Sequence, residues 1–372
     1  FALWETVMSI ERDPVMRTKL LCLPILLLSS LLLGCSQKKK DYSITSGNSS
    51  SQEGPIESSP SAPRISESRM PLPSRFVVDH VKYALSGDTA IAQGLDEDSL
   101  GEKEISIGLT KDSDFPYTIP CKIGVFAFKD CSRLKKVSFR GEILGIGYGA
   151  FRFCSSLTSV SIPSSVQYIG QGAFAGCDSL EAITVEKENP NFSSENGGLY
   201  NKDGTVLLSG PGAKKEFQIP ERVVNIQEFA FCGCRNLQVI EIPSSVTWIG
   251  ETAFLNCPSL GLILVSLENT SYTTFDNVLY DIGKKLLVKC PEKKKKAKIL
   301  STVTRIGGYA FFHCALLISI AIPSSVTEIG DYAFSQCFFL DIFCGSPYSL
   351  YGFSPCWNDF GAKAYWYSRP KE

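Results

Sequence analysis

The sequence predicts a repeat solenoid: a mainly β, right-handed coil of short parallel strands joined by short helical or 3-10 turns, with two β-hairpin insertions. Three observations carry that prediction. Ala-Phe recurs at 127–128, 150–151, 173–174, 230–231, 253–254, 310–311 and 333–334, and a cysteine stands three positions beyond each phenylalanine: Cys131, Cys154, Cys177, Cys234, Cys257, Cys314 and Cys337. The spacings are 23, 23, 57, 23, 57 and 23, so a 23-residue unit is interrupted twice by an insertion of the same length, 34 residues. A step of 80 runs through the same region: Ile-Pro-Ser-Ser-Val stands at 162–166, 242–246 and 322–326, and Leu199-Tyr200 matches Leu279-Tyr280. A unit this short cannot bury its own apolar side, so fixed periods of this length imply stacked coils that share one continuous core.

Along the chain, residues 1–34 read as a leader. Phe1 is no initiator, and Met16, with Met8 as the alternative, is the expected start. From there Arg17 and Lys19 precede the apolar run Leu20–Leu33, and Gly34-Cys35 follows. Fourteen residues rise only about 21 Å as a helix, too short for a stable span of the roughly 30 Å hydrocarbon layer. The order resembles a bacterial lipoprotein signal, which implies cleavage between Gly34 and Cys35, a lipid on the Cys35 sulfur and a bilayer as one partner. Ser36, rather than Asp, favours the outer membrane where that sorting rule applies. Residues 35–75, opening with Lys38-Lys39-Lys40 and rich in Ser and Pro, bury too little to offset their ordering entropy and read as a tether. Residues 76–120 show no clear repeat and are expected to cap the solenoid.

Within the solenoid, 121–344, one unit runs Ile-Gly, two variable residues, Ala-Phe, two variable residues, Cys, and then a segment such as Leu157-Thr158-Ser159-Val160-Ser161-Ile162. Alternation sends Val160 and Ile162 to one face of a strand and Ser159 and Ser161 to the other, and Pro163 ends the strand because it has no N–H for the ladder. Gly170 and its counterparts permit a tight bend. Two departures stand out. Gln227 replaces the glycine in the fourth unit. In the last unit, Phe343 holds the core isoleucine position by count, which places Ile342 and Cys344 outward. The insertions, about 192–225 and 272–305, read as hairpins, with Asp203-Gly204 as the turn signal of the first. Residues 345–372, carrying Tyr348, Tyr351, Trp357, Tyr365, Trp366 and Tyr367, are expected to cover the other end.

This period and the seven copies of Ala-Phe-x-x-Cys-x-x-Leu resemble the BspA-like, treponemal-type leucine-rich repeats (LRR_5). The resemblance implies a leucine-rich-repeat solenoid and a non-enzymatic, binding role associated with adhesion to host matrix and contact between cells. It also implies that outward strand positions line a concave face.

Composition supports a binding role by elimination. Thirty-seven Lys and Arg against 38 Asp and Glu leave a net charge of -1, so no global field draws nucleic acid. With only His80 and His313, the usual Ser/His and His–metal arrangements lack their commonest member. Phosphate-loop, dinucleotide, nucleophile-elbow and zinc-protease motifs are absent, and no enzyme, cofactor or metal site is expected. Cys232-Gly233-Cys234 reads as structure, because Cys234 belongs to the repeat. Asp96-Glu97-Asp98 with Asp112 and Asp114 fits no calcium loop. His313, at a variable position, reads as surface. The run Lys293–Lys296 with Lys298 reads as a solvated turn, with binding of an acidic partner as its functional alternative.

What remains is the concave face, polar in its first units and apolar later: Val239, Leu262, Leu264 and Ile342 are the expected partner-binding residues. The ladder cysteines are expected to be buried free thiols, since parallel Cβ vectors in a stack suit disulfides poorly. The resulting expectation is a membrane-anchored, cell-surface or outer-membrane lipoprotein that binds a protein or matrix ligand. The alternative is a periplasmic or envelope scaffold for the cell's own proteins.

Overall fold

Each Leu-x-x-Ile-x-Ile segment forms a four-residue strand, and a short strand of two to four residues ends at the isoleucine of each Ile-Gly, so every coil contributes to two parallel sheets. In the computed structural model the described residues are 73–111, 118–345, 352–359 and 362–366. They lie within one compact unit, Met70–Glu372. The leader, the tether up to residue 72, Asp112, Asp114, Tyr348, Tyr351 and Tyr367 fall outside the described residues, while Arg75, expected at the tether's end, already belongs to the first strand.

On the first side, Glu104–Ile107, Lys136–Phe139, Ser159–Ile162 and Ala182–Val185 form one parallel sheet. Glu216–Gln218, Val239–Ile242 and Leu262–Val265 form a second, and Ser319–Ile322, Asp341–Cys344 and Lys363–Trp366 a third. The other side carries the short strands, such as Tyr168–Ile169 and Trp248–Ile249. Between the sheets, phenylalanines of the Ala-Phe pairs stack face to face: Phe128 on Phe151 at 5.3 Å, Phe151 on Phe174 at 5.7 Å, Phe231 on Phe254 at 5.5 Å and Phe311 on Phe334 at 4.7 Å.

The corner around each Ala-Phe is not a helix. Its bonds run from residue i+3 back to i, as in Cys154 N–H to Phe151 O, but the residue before each cysteine takes a positive φ, for example Phe153 at 64° and Gln336 at 61°. A left-handed residue stops helical propagation after one turn. The only helix among the described residues is the 3-10 turn Glu97–Ser99.

The insertions are more than hairpins. Phe192–Glu195 and Gly198–Asn201 pair antiparallel, and Val206–Ser209 then pairs parallel with Asn225–Ile226. Val206 faces Asn225, 19 residues on, whereas Asn225 faces Trp248, 23 residues on. Each insertion is therefore a hairpin followed by a shortened coil that lacks the Ala-Phe corner; Val278–Asp281, Leu286–Lys289 and Arg305–Ile306 repeat the arrangement. The N-terminal cap uses the same device. Its strands Arg75–Val78, Val81–Ser86 and Thr89–Leu95 form an antiparallel meander that leads into parallel pairing with Cys121–Ile123.

The missing corner explains Gln227. A Cβ on Gly170 would lie 2.3 Å from Tyr148 N and one on Gly147 2.7 Å from Gly124 C, so ordinary coils demand glycine there. Gln227 follows the shortened coil, where the preceding corner is gone. At the matching Gly307 a Cβ would find its nearest atom at 3.2 Å.

Candidate functional site

The strand face is built by alternation. Ile240, Ile242 and Ile263 turn into the core and are almost fully buried, which leaves their neighbours outward. Ser159 and Ser161 are exposed, Val239 is half-buried, and Leu262 and Leu264 are 39% and 43% exposed. Leu262 stands beside Val239 in the ladder and Leu264 beside Glu241.

Ile342 does not belong to this face. It is fully buried and pairs with Ile320, while Cys344 pairs with Ile322. The last unit is one residue shorter between cysteine and strand, and a one-residue slip moves every side chain to the opposite face. Asp341 and Phe343 therefore point outward, and Phe343 stacks on Tyr365 at 5.3 Å. The outward apolar residues at this end are Phe343 and Tyr365, with Ile318, Phe338 and Phe339 exposed nearby in sequence.

The hairpins dock at the strand edges rather than over the face. Asn277, at the second hairpin's tip, accepts the Ile263 N–H at 2.9 Å and donates to Gly261 O. Gly197, at the first tip, accepts the Ile183 N–H at 3.0 Å. Lys294 belongs to this docking: its ammonium bonds Asp276 O and lies 3.1 Å from Asp276 Oδ1, as Lys214 bonds Asn196 O in the first insertion. Lys293, Lys295, Lys296 and Lys298 are exposed.

Two buried polar sites escaped the sequence reading. Asn189 and Asn269 are buried and equivalent. Asn269 Nδ2 donates to Pro243 O at 2.7 Å and Val246 O at 3.0 Å, and its Oδ1 accepts from Ser271 N at 2.8 Å and Tyr272 N at 2.7 Å. Asn189 makes the matching four bonds. Each asparagine ties the Pro-Ser-Ser-Val turn of one coil to the start of a hairpin; their separation by the same step of 80 was the available signal.

The second site is Glu292. Its side chain is 1% exposed, and Oε1 accepts the Cys257 N–H at 2.8 Å and lies 3.5 Å from Lys289 Nζ, itself 4% exposed. Oε2 lies 3.2 Å from His313 Nδ1. His313 is thus a partly buried partner of a buried carboxylate, not a bare surface residue. Burial alone would pull the Lys289 ammonium below its ordinary range, but the Glu292 carboxylate beside it holds it above. The first insertion carries Ser209 and Gly212 at these positions, and nothing in the repeat foretells the exchange.

The cysteines form a thiol-to-carbonyl series. Cys154 donates to Phe128 O at 3.1 Å, Cys177 to Phe151 O at 3.2 Å, Cys257 to Phe231 O at 3.0 Å and Cys337 to Phe311 O at 3.0 Å. Burial pushes Cys337 up to about 12 and Cys232 up to about 11. Cys131, first in the series, is only half-buried because no Ala-Phe coil precedes it. Among the described residues, no group of three or more His, Cys, Asp or Glu could hold a metal ion.

The family model described as BspA type leucine rich repeat region matches residues 110–196 and 213–340 in six copies, more than half of the chain. The chain belongs to that family. Three bacterial structures show how far similarity to this BspA-type chain extends. The pneumococcal vaccine antigen PcpA is 19% identical over 72% of this chain and 69% of its own, with a TM-score of 0.39. A leucine rich cell surface protein from Faecalibacterium prausnitzii A2-165 is 23% identical over 74% and 96%, with a TM-score of 0.37. The T. pallidum leucine rich repeat protein is 20% identical over 70% and 88%, with a TM-score of 0.30. No curated protein matches the chain in sequence. Leucine-rich-repeat proteins generally bind proteins, and the family is typically non-enzymatic.

Proposed function

We propose that this BspA-type chain is a lipid-anchored protein of the bacterial cell surface, and that it binds a protein partner on its strand face in adhesion to host matrix or neighbouring cells. The observation that carries the reading is the exposure of Leu262 and Leu264, 39% and 43%, on strand positions free of packing demands. Apolar side chains there cost solubility without adding to the core, which suits burial against a partner. Val239 extends the cluster; Phe343 and Tyr365 take the place first given to Ile342. The anchor rests on Arg17, Lys19, the apolar run and Gly34-Cys35, with Cys35 as the lipidated first residue of the mature chain.

The test of the face is binding of purified chain to immobilised host matrix proteins. Leu264→Glu should weaken it by about thirtyfold, the value of a central apolar anchor, while Ser161→Glu leaves it nearly unchanged and both keep the parent melting temperature. Equal binding by the two variants refutes the assignment. Protease treatment of intact cells separates an outward-facing adhesin, which is shaved, from an envelope scaffold, which is spared. Cys35→Ala should leave the detergent phase on partition; if it partitions like the parent, Cys35 is not the anchor.

A further inference from the structure

Outward ladder positions next to the apolar pair carry carboxylates on one side, with Lys215 exposed just before Glu216, and an insertion run carries lysines on the other. On one side of Leu262 and Leu264 along the sheet stand Glu216 and Glu241, both exposed; Glu241 is the ladder partner of Leu264, and Glu216 that of Val239. On the other side runs the segment that follows the second hairpin, with Lys293, Lys295, Lys296 and Lys298 exposed. Lys293 is held at Leu260 and Gly261, which lead into the strand that carries the pair. Its N–H donates to Leu260 O at 3.2 Å, and its Cδ lies 3.9 Å from where a Cβ on Gly261 would stand.

The matching segment of the first insertion is spent on structure: Glu216–Gln218 pairs with Val239–Ile242, and Phe217 is buried against Phe231 at 5.5 Å. In the second insertion Ala297 replaces Phe217, and among the described residues 296–298 form no strand. The lysines there hang on backbone that the sheet does not hold. Within the run the carboxylate of Asp276 meets Lys294 alone.

We infer that the strand face takes an acidic and apolar polypeptide segment, laid across the strands with apolar side chains on Leu262 and Leu264 and carboxylates toward Lys293, Lys295 and Lys296. This inference rests on the partner-binding reading above and adds the partner's chemistry and direction. Flexible ammonium groups are compact point charges that follow carboxylates of no fixed geometry. Glu216 and Glu241 repel the acidic end from the opposite side, so one orientation is selected by repulsion as well as attraction. A sulfated glycan would satisfy the lysines but has no apolar surface for the leucines.

The experiment titrates the full chain with four fluorescent probes. These are a short synthetic peptide with leucines in one half and glutamates in the other, the same peptide with lysine for glutamate, polyglutamate, and a heparin oligosaccharide. The Leu–Glu peptide should bind tightest, and Lys293→Glu/Lys295→Glu/Lys296→Glu should weaken it at least about tenfold and flatten its salt dependence while melting like the parent. Leu264→Glu should weaken it independently. Polyglutamate or heparin binding as tightly as the Leu–Glu peptide overturns the inference in favour of a general polyanion site. Loss with Leu264→Glu but not with the lysine reversal overturns it and leaves the partner-binding face standing. Indifference to both variants removes both readings.

Discussion

Replacing Glu292 by alanine leaves Lys289 charged and sealed in the core and strips the Cys257 N–H of its acceptor. Side-chain exposures of 4% and 1% mean that water cannot take over either role without local opening. At the observed 3.5 Å and an effective dielectric near 20, the lost attraction is about 5 kcal/mol, in line with the roughly 3–5 kcal/mol seen when one member of a buried pair is removed. The orphaned N–H adds about 1–3 kcal/mol. Because the folded-state pKa of Lys289 is raised, its contribution is fully present below the ordinary lysine range and is lost only as pH rises above it. Glu292→Gln keeps an acceptor and should cost less than alanine. Lys289→Met combined with Glu292→Gln, which removes both charges, should recover most of the loss. Urea melts followed by tryptophan fluorescence give the midpoints. Since coils stack only on neighbours, the C-terminal coils should unfold first and broaden the transition. A loss below about 1 kcal/mol in Glu292→Ala would show that Lys289 reaches water and that this pair does not hold the junction.

Further outcomes are expected. Burial raises the Asp178 carboxyl to about 6, against the opposing pull of Arg235 with Nε at 3.4 Å. The folded state therefore holds the proton more tightly, and stability falls as pH rises from about 4 to about 6; Asp178→Asn should flatten that slope and add up to about 3 kcal/mol above it, measured by urea melts across the range. Asn269→Ala removes four hydrogen bonds from a buried turn and should cost about 2–4 kcal/mol, with Asn189→Ala alike; a loss under 1 kcal/mol in either would mean that the turn closes without its asparagine. Native alkylation should label Cys131 first and leave Cys154, Cys177, Cys257 and Cys337 unreacted, whereas denaturation without reductant should expose all four as thiols; mass mapping that finds them bridged would reject the thiol series.

Sequence alone determined the coil, because the residues that define it act through local rules. Ala-Phe and cysteine recur at a fixed step, alternation assigns the inward side chain of each strand, and proline and glycine mark its ends, so the period could be read without any long-range contact. Outward exposure of Leu262 and Leu264 followed from the same alternation. What only the tertiary structure decided depends on which coil lies next to which. Counting from Cys337 points Ile342 outward, but the chain closes that coil with one residue fewer and pairs Ile342 with Ile320. Gln227 departs from the repeat because the preceding coil lacks the corner that would collide with it. Lys289 and Glu292 are only three residues apart, but they meet His313 and the Cys257 N–H because the second hairpin's coil stacks between those of Cys257 and His313; no spacing rule encodes that a carboxylate there will accept a backbone N–H from the coil below. Periodicity specifies the unit, and the irregular partners of each unit become visible only once the coils are stacked.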